Sequence, residues 1–113
     1  MTSESSEQIG FVCWMRQNFP GVLIFHIPNG RFRNYSTGKK LKAEGVVSGI
    51  PDLFIPEFRC FIELKRKDGG ALSENQEKII RHLRSIGYTV FVAHGATEAS
   101  KMILEFVRTR DRL

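Results

Sequence analysis

Gly49-Ile50-Pro51-Asp52-Leu53 and Phe61-Ile62-Glu63-Leu64-Lys65 are two short apolar stretches, each with an acid set into it, and Glu63 follows Asp52 by eleven residues. A β-strand sends alternate side chains to opposite faces. Cys60, Ile62 and Leu64 therefore point one way, and Phe61, Glu63 and Lys65 the other. A glutamate and a lysine on a strand this apolar are costly to bury unless they are paired or bound to a metal. Asp52 opens the preceding apolar run, and a hairpin between the two runs brings its carboxylate to that of Glu63. Two convergent carboxylates suit Mg²⁺, which prefers oxygen ligands in an octahedron and keeps several waters. A lysine beside them can orient or deprotonate an attacking water and steady phosphate charge. The pattern is suited to metal-dependent phosphodiester hydrolysis. Glu63 and Lys65 taken alone also fit an ordinary solvent-facing pair on an antiparallel strand. It is the Gly-x-Pro-Asp at hairpin distance that shifts the reading toward a metal site.

Outward from this pair, the chain divides cleanly. Ser3 or Ser5 can cap a first helix running to about Asn18, with Ile9, Val12, Cys13 and Met15 at helical spacing, and Pro20-Gly21 ends it. Val22 to Ile27 reads as a buried strand that stops at the turn signal Pro28-Asn29-Gly30. Ser36 to Glu44 fits a short helix. Asp52 to Ile55 is a strand opened by Pro51, since proline is tolerated at a strand's first residue. Pro56 to Arg59 then makes a tight connection to the strand Cys60 to Lys65. Ser73 followed by Gln76 is a capping-box pattern for a helix ending before Gly87, with Ile79, Ile80, Leu83 and Ile86 as its apolar stripe. Tyr88 to Ala93 is a strand, and Thr97 is placed to cap a last helix through about Arg108. Three sequential strands and a helical crossover to a fourth predict an α/β (α+β) fold, a mixed sheet with helices packed on it.

Size and charge narrow the class. The 113 residues, with no repeat, linker or low-complexity stretch, suit one domain over 1–113. Hydrophobic residues make up 42%, which argues against wholesale disorder. A net charge of +5 and a pI of about 9.6 favour an anionic partner, with nucleic acid the first candidate and a membrane surface the second. No apolar run approaches the roughly 20 residues needed to span a bilayer, and the polar, acidic start Met1 to Glu7 is no secretory signal. Cys13 and Cys60 sit in apolar segments and read as small core residues in a reducing, cytoplasmic compartment. Arg31, Arg33, Lys39, Lys40 and Lys42, with Phe32 and Tyr35 interleaved, form a basic stretch suited to DNA phosphates, or simply to a solvated face. Phe32 and Tyr35 suit either stacking on unpaired bases or packing the stretch onto the domain. His26 reads as a strand residue, and His82 and His94 as surface residues. Their spacing suggests no histidine–metal site.

The element order, with an acid on the second strand and Glu-x-Lys on the third, resembles the PD-(D/E)xK nuclease core. The whole chain looks like a VRR-NUC (virus-type replication-repair nuclease) domain. The matching pieces are Glu4-x-x-x-Gln8 before Trp14, Ile27-Pro28-Asn29-Gly30, Leu41 to Val46, Gly49 to Phe54, Phe61 to Lys65 and Leu72-Ser73-x-x-Gln76. Gly87-Tyr88 and the helix Ala99 to Phe106 fit the family's C-terminal end. The resemblance implies a stand-alone, homodimeric endonuclease like a Holliday-junction resolvase, acting on branched DNA with Mg²⁺ or Mn²⁺ in a bacterial or phage-infected cell. It also implies roles. Asp52, Glu63 and the backbone carbonyl of Leu64 would hold the metal, and Lys65 would be the catalytic lysine. Gln76 would stand near the site, whatever its part in the capping box. The first helix would lend an acid, Glu4 or Glu7, both in a first turn where the helix dipole favours acids anyway. A sequence-specific restriction-type endonuclease and a non-catalytic DNA-binding module are the competing readings.

Overall fold

A computed structural model of the chain describes residues 3–28 and 35–111, with backbone alone for 35–37. The elements are α1 (Glu4–Asn18), β1 (Phe25–His26), α2 (Tyr35–Ala43), β2 (Leu53–Ile55), a 3-10 turn (Pro56–Phe58), β3 (Cys60–Lys65), α3 (Glu74–Ser85), β4 (Thr89–His94) and α4 (Ala96–Asp111). Among the described residues the strands form one mixed sheet in the order β1-β2-β3-β4, the first two pairings antiparallel and β3–β4 parallel. With the short α2 set between β1 and β2, this is the predicted order of helix, three strands, helix, strand and last helix.

The sheet has two differently used faces. Leu53, Ile55, Cys60, Ile62, Leu64 and Ala93 are buried on one, in a single cluster with Phe11 and Met15 of α1 and Ala99 and Ile103 of α4. The other carries Phe61, Glu63 and Lys65, and α3 reaches it through Gln76. Rows of rings also cross that second face, Phe25 on Phe54, Phe54 on Phe61 and Phe61 on Tyr88. The free edge of β4 is blunted: Arg84 donates to the Val90 carbonyl at 2.7 Å and Glu98 accepts the His94 N–H.

Four local expectations change. The strand predicted over Val22 to Ile27 shrinks to two exposed residues. Its earlier backbone donors are taken elsewhere, Val22 N–H by the Phe19 carbonyl and Leu23 N–H by the Glu57 carboxylate. On α1 the buried stripe is Phe11 and Met15, while Ile9 is 67% exposed and Cys13 is also exposed. The helix is apolar on several sides, so spacing alone could not choose its inner face. Cys13 is therefore no core residue, unlike Cys60, whose burial pushes its thiol pKa up to about 12. Of the α3 stripe, Ile80 is buried whereas Ile86 is exposed. Finally, α4 starts at Ala96, so Thr97 lies inside it. The carboxylate that meets its first N–H comes from Glu7.

Candidate active site

The antiparallel register pairs Leu53 with Ile62, and one further step sets Asp52 beside Glu63. Asp52 is fixed on both sides. Its Oδ2 accepts the Leu64 N–H at 2.8 Å, and its carbonyl accepts the Ile27 N–H at 2.8 Å. His26 Nδ1 lies 2.8 Å from the same carbonyl, and since a carbonyl only accepts, that nitrogen carries the proton. The approach to Asp52 depends on Gly49. There φ is +92° and a Cβ would stand 2.7 Å from the Asn75 carbonyl oxygen, so the loop can press against the start of α3 only with glycine at this position. Pro51 is fully buried behind it.

Glu63 is only 3% exposed. Its Oε2 takes a long contact of 3.4 Å from the Gln76 amide, and its Oε1 is buried with no protein partner. Burial, then the charge and hydrogen bond of Asp52, push its pKa up to about 8; Lys65 opposes the shift and Glu4 adds to it. Lys65, itself 9% exposed, donates from Nζ to Gln76 Oε1 at 3.0 Å. The same oxygen accepts the Ser73 N–H at 2.9 Å, and Ser73 Oγ accepts the Gln76 N–H. The capping box therefore orients the Gln76 amide, its oxygen toward Lys65 and its nitrogen toward Glu63. Gln76 holds both of its predicted places at once, helix cap and neighbour of the acid–lysine pair.

A cleft of about 850 Å³ opens beside this cluster, lined among others by Asp52 and Lys65 and by Glu4, Gln8, His26 and Leu64. Of the two first-helix acids, Glu4 reaches it. Glu7 does not line the cleft; its Oε1 accepts the Ala96 N–H at 2.8 Å. Lys39, Lys40 and Lys42 are exposed on α2, while Arg31, Arg33 and Phe32 lie outside the described residues. His26 and Arg66 also border the cleft, and sequence reading gave neither a role. Only the period-two alternation in β1 and the position just past Lys65 could have pointed to them.

The donor set fits a hard divalent cation. A buried carboxylate oxygen without a partner, beside a second carboxylate that raises its pKa, is a charge arrangement that a cation relieves. Among the described residues no three His, Cys, Asp or Glu side chains converge on one point. Two convergent carboxylates are a donor set of the kind that holds Mg²⁺ or Mn²⁺.

A family model, the VRR-NUC domain, matches residues 4–97. A solved structure of a VRR_NUC domain protein superposes with a TM-score of 0.80 at 27% identity, over 96% of this chain and 90% of that one. No curated protein sequence matches the chain. No helix among the described residues is long and apolar enough to cross a membrane.

Proposed function

Because the chain belongs to the VRR-NUC domain family, a nuclease family, we propose that it is a divalent-metal-dependent endonuclease that hydrolyses phosphodiester bonds in branched DNA. The fold is that of the PD-(D/E)xK nucleases, a mixed sheet flanked by helices. The observation that carries the proposal is Glu63, buried with one oxygen unpartnered, between Asp52 and a lysine oriented by Gln76.

Asp52 and Glu63, with the Leu64 carbonyl, would hold Mg²⁺ or Mn²⁺. When bound, the cation supplies Lewis acidity toward a phosphate oxygen and a water of lowered pKa. Lys65 brings a compact ammonium with three donors, able to hold the attacking water or the charge that grows on the phosphate. Gln76 keeps that ammonium from swinging away, because its own oxygen is fixed by the Ser73 N–H. An arginine at 65 would place charge differently and lose the geometry. Glu4 extends the acidic wall from α1.

Phosphates would be met by Lys39, Lys40 and Lys42, with Arg31 and Arg33 nearby in sequence. Such contacts carry no base information, so cutting follows DNA shape rather than sequence, and binding weakens steeply with salt. Two symmetric cuts in a four-way junction require two sites, hence a homodimer. Exposed Ile9, Leu23 and Phe25, near an apolar groove of about 480 Å³ along α1 and β1, offer surface for a second copy.

Cleavage of an immobile four-way junction beside a linear duplex of the same sequence tests the proposal, with Mg²⁺, Mn²⁺ and EDTA, for wild type and Asp52→Asn. Paired metal-dependent nicks in the junction, absent from the variant, are expected. Wild-type cutting by Asp52→Asn would sink the site assignment. Cutting confined to one sequence in the duplex would point to a restriction-type enzyme, and salt-sensitive binding without cutting to a DNA-binding module.

A further inference from the structure

Glu7 sits one helical turn after Glu4, yet its carboxylate leaves the cleft and meets the opposite end of the chain, 89 residues away. The place it reaches is unusually constrained. Gly95 has φ of +93°, and a Cβ there would stand 2.9 Å from Glu7 Oε1, so only glycine leaves room for the contact. The Gly95 N–H donates to the Lys65 carbonyl at 3.1 Å, and the next residue, Ala96, gives its N–H to Glu7 at 2.8 Å. Two consecutive backbone donors thus join the end of β3, at the lysine of the site, to the first turns of α1. One turn further along α1, a side chain on Gly10 would begin 3.7 Å from Ala96 Cβ, an ordinary contact distance, so α1 and the start of α4 lie close together here. The helix dipole of α4 favours a carboxylate at this end.

The consequence for the cleft follows from helix geometry. Glu4 and Gln8 are four residues apart and share one stripe of α1, and both line the cleft. Glu7 lies beside that stripe, so pinning its carboxylate fixes the rotation and height of the first turn. Ser3 caps that turn, its Oγ accepting the Ser6 N–H, a contact that does not by itself aim Glu4 at the strands. We infer that Glu7 is a positioning residue: by tying α1 to the β4–α4 junction it holds Glu4 against the Asp52–Glu63 pair. This role rests on the metal-site reading above and acts through Glu4.

Mn²⁺ binding to the full-length protein, followed by electron paramagnetic resonance, tests the inference in wild type, Glu7→Ala, Glu7→Gln, Glu4→Gln and the double variant Glu7→Ala/Glu4→Gln. Circular dichroism first confirms folding at the working temperature. Glu7→Ala is expected to weaken Mn²⁺ affinity about tenfold, the low end for loss of a group supporting a metal ligand. Glu7→Gln keeps an accepting oxygen and should recover most of that loss. In the Glu4→Gln background Glu7→Ala should cost less than about twofold, because the group it positions is already gone. Equal losses in both backgrounds would overturn the inference, as would a lowered melting temperature with unchanged affinity. Mn²⁺ binding that survives in an Asp52→Asn variant, measured alongside as a control, would instead show that the metal-site reading itself has failed, and this role with it.

Discussion

Strand β3 presents two faces of nearly equal burial and opposite character. Cys60, Ile62 and Leu64 are at most 1% exposed and belong to the main apolar cluster. Glu63 and Lys65, on the other face, are 3% and 9% exposed, yet both are ionisable, and the glutamate keeps an oxygen without a partner. Apolar burial contributes to stability in rough proportion to area. Burying a carboxylate costs stability unless every lone pair is met. The first face holds the sheet together, and the second is retained at a cost in stability. That cost is physical grounds for placing function at Glu63 rather than at any of the exposed acids.

The sharpest way to break this contrast is Glu63→Gln. Removing the charge should lower junction cleavage by more than about 100-fold, beyond the range of lost supporting contacts around a metal. The same change should raise the melting temperature of the metal-free protein at pH 8, since the buried charge is gone. Activity and stability would move in opposite directions. A variant that lost both would show that Glu63 is simply part of the structure.

Ile62→Ala, one residue away on the other face, should do the reverse. Cutting back a fully buried isoleucine costs about 2–5 kcal/mol, readable by urea unfolding. Cleavage per folded molecule at low temperature should stay near wild type. A large loss of activity without a loss of stability would mean that the two faces are not separable.

A third outcome concerns pH. The folded-state pKa of Glu63 lies near 8, above its ordinary value of 4.5, because burial and the neighbouring Asp52 disfavour its charge. Between those values the folded protein holds a proton that the unfolded chain has released. The favourable contribution is complete below about pH 4.5 and is lost as pH rises through about 8. Metal-free wild type should therefore lose stability across this window relative to Glu63→Gln, by at most about 1.4 kcal/mol per pH unit. Parallel melting curves for the two proteins would contradict the burial argument.

How far the sequence carried this picture depends on how local each feature is. The period-two pattern of Cys60 to Lys65 and the Ser73–Gln76 capping box are decided within a few residues, and both elements stand where the pattern placed them. The Asp52–Glu63 meeting needed only a hairpin, again local. The misplaced features depend on distant partners. β1 is short because Glu57, 34 residues from Leu23, takes its N–H. Thr97 was a sensible cap for α4 until Glu7 arrived from the far end of the chain. The same contact separates Glu4 from Glu7, which the helix dipole favours alike although only Glu4 has the family's spacing to Gln8. For α1, Ile9-Val12-Cys13 and Phe11-Met15 are both plausible stripes, and only the packing of α4 selects the second.

The smallest expected effects separate cap from site at the point where the two meet. Ser73→Ala removes the side chain that accepts the Gln76 N–H and should cost about 1 kcal/mol in stability, as for other lost N-caps. It leaves the Gln76 amide in contact with Lys65 and with the Ser73 backbone N–H, so cleavage should change less than about threefold, a shift worth under about 0.7 kcal/mol. Gln76→Ala removes half of the capping box and both links to the site. Its stability loss should be similar to that of Ser73→Ala, but its cleavage should drop about 10- to 100-fold, as for other supporting groups around metal sites. Unfolding curves and junction cleavage on the same two preparations settle the matter. If the two variants fell together in both measurements, Gln76 would be a cap that happens to adjoin the cleft. If only Gln76→Ala lost activity, the Gln76 amide itself, rather than the cap, would be what holds Lys65 and Glu63 on the costly face of β3.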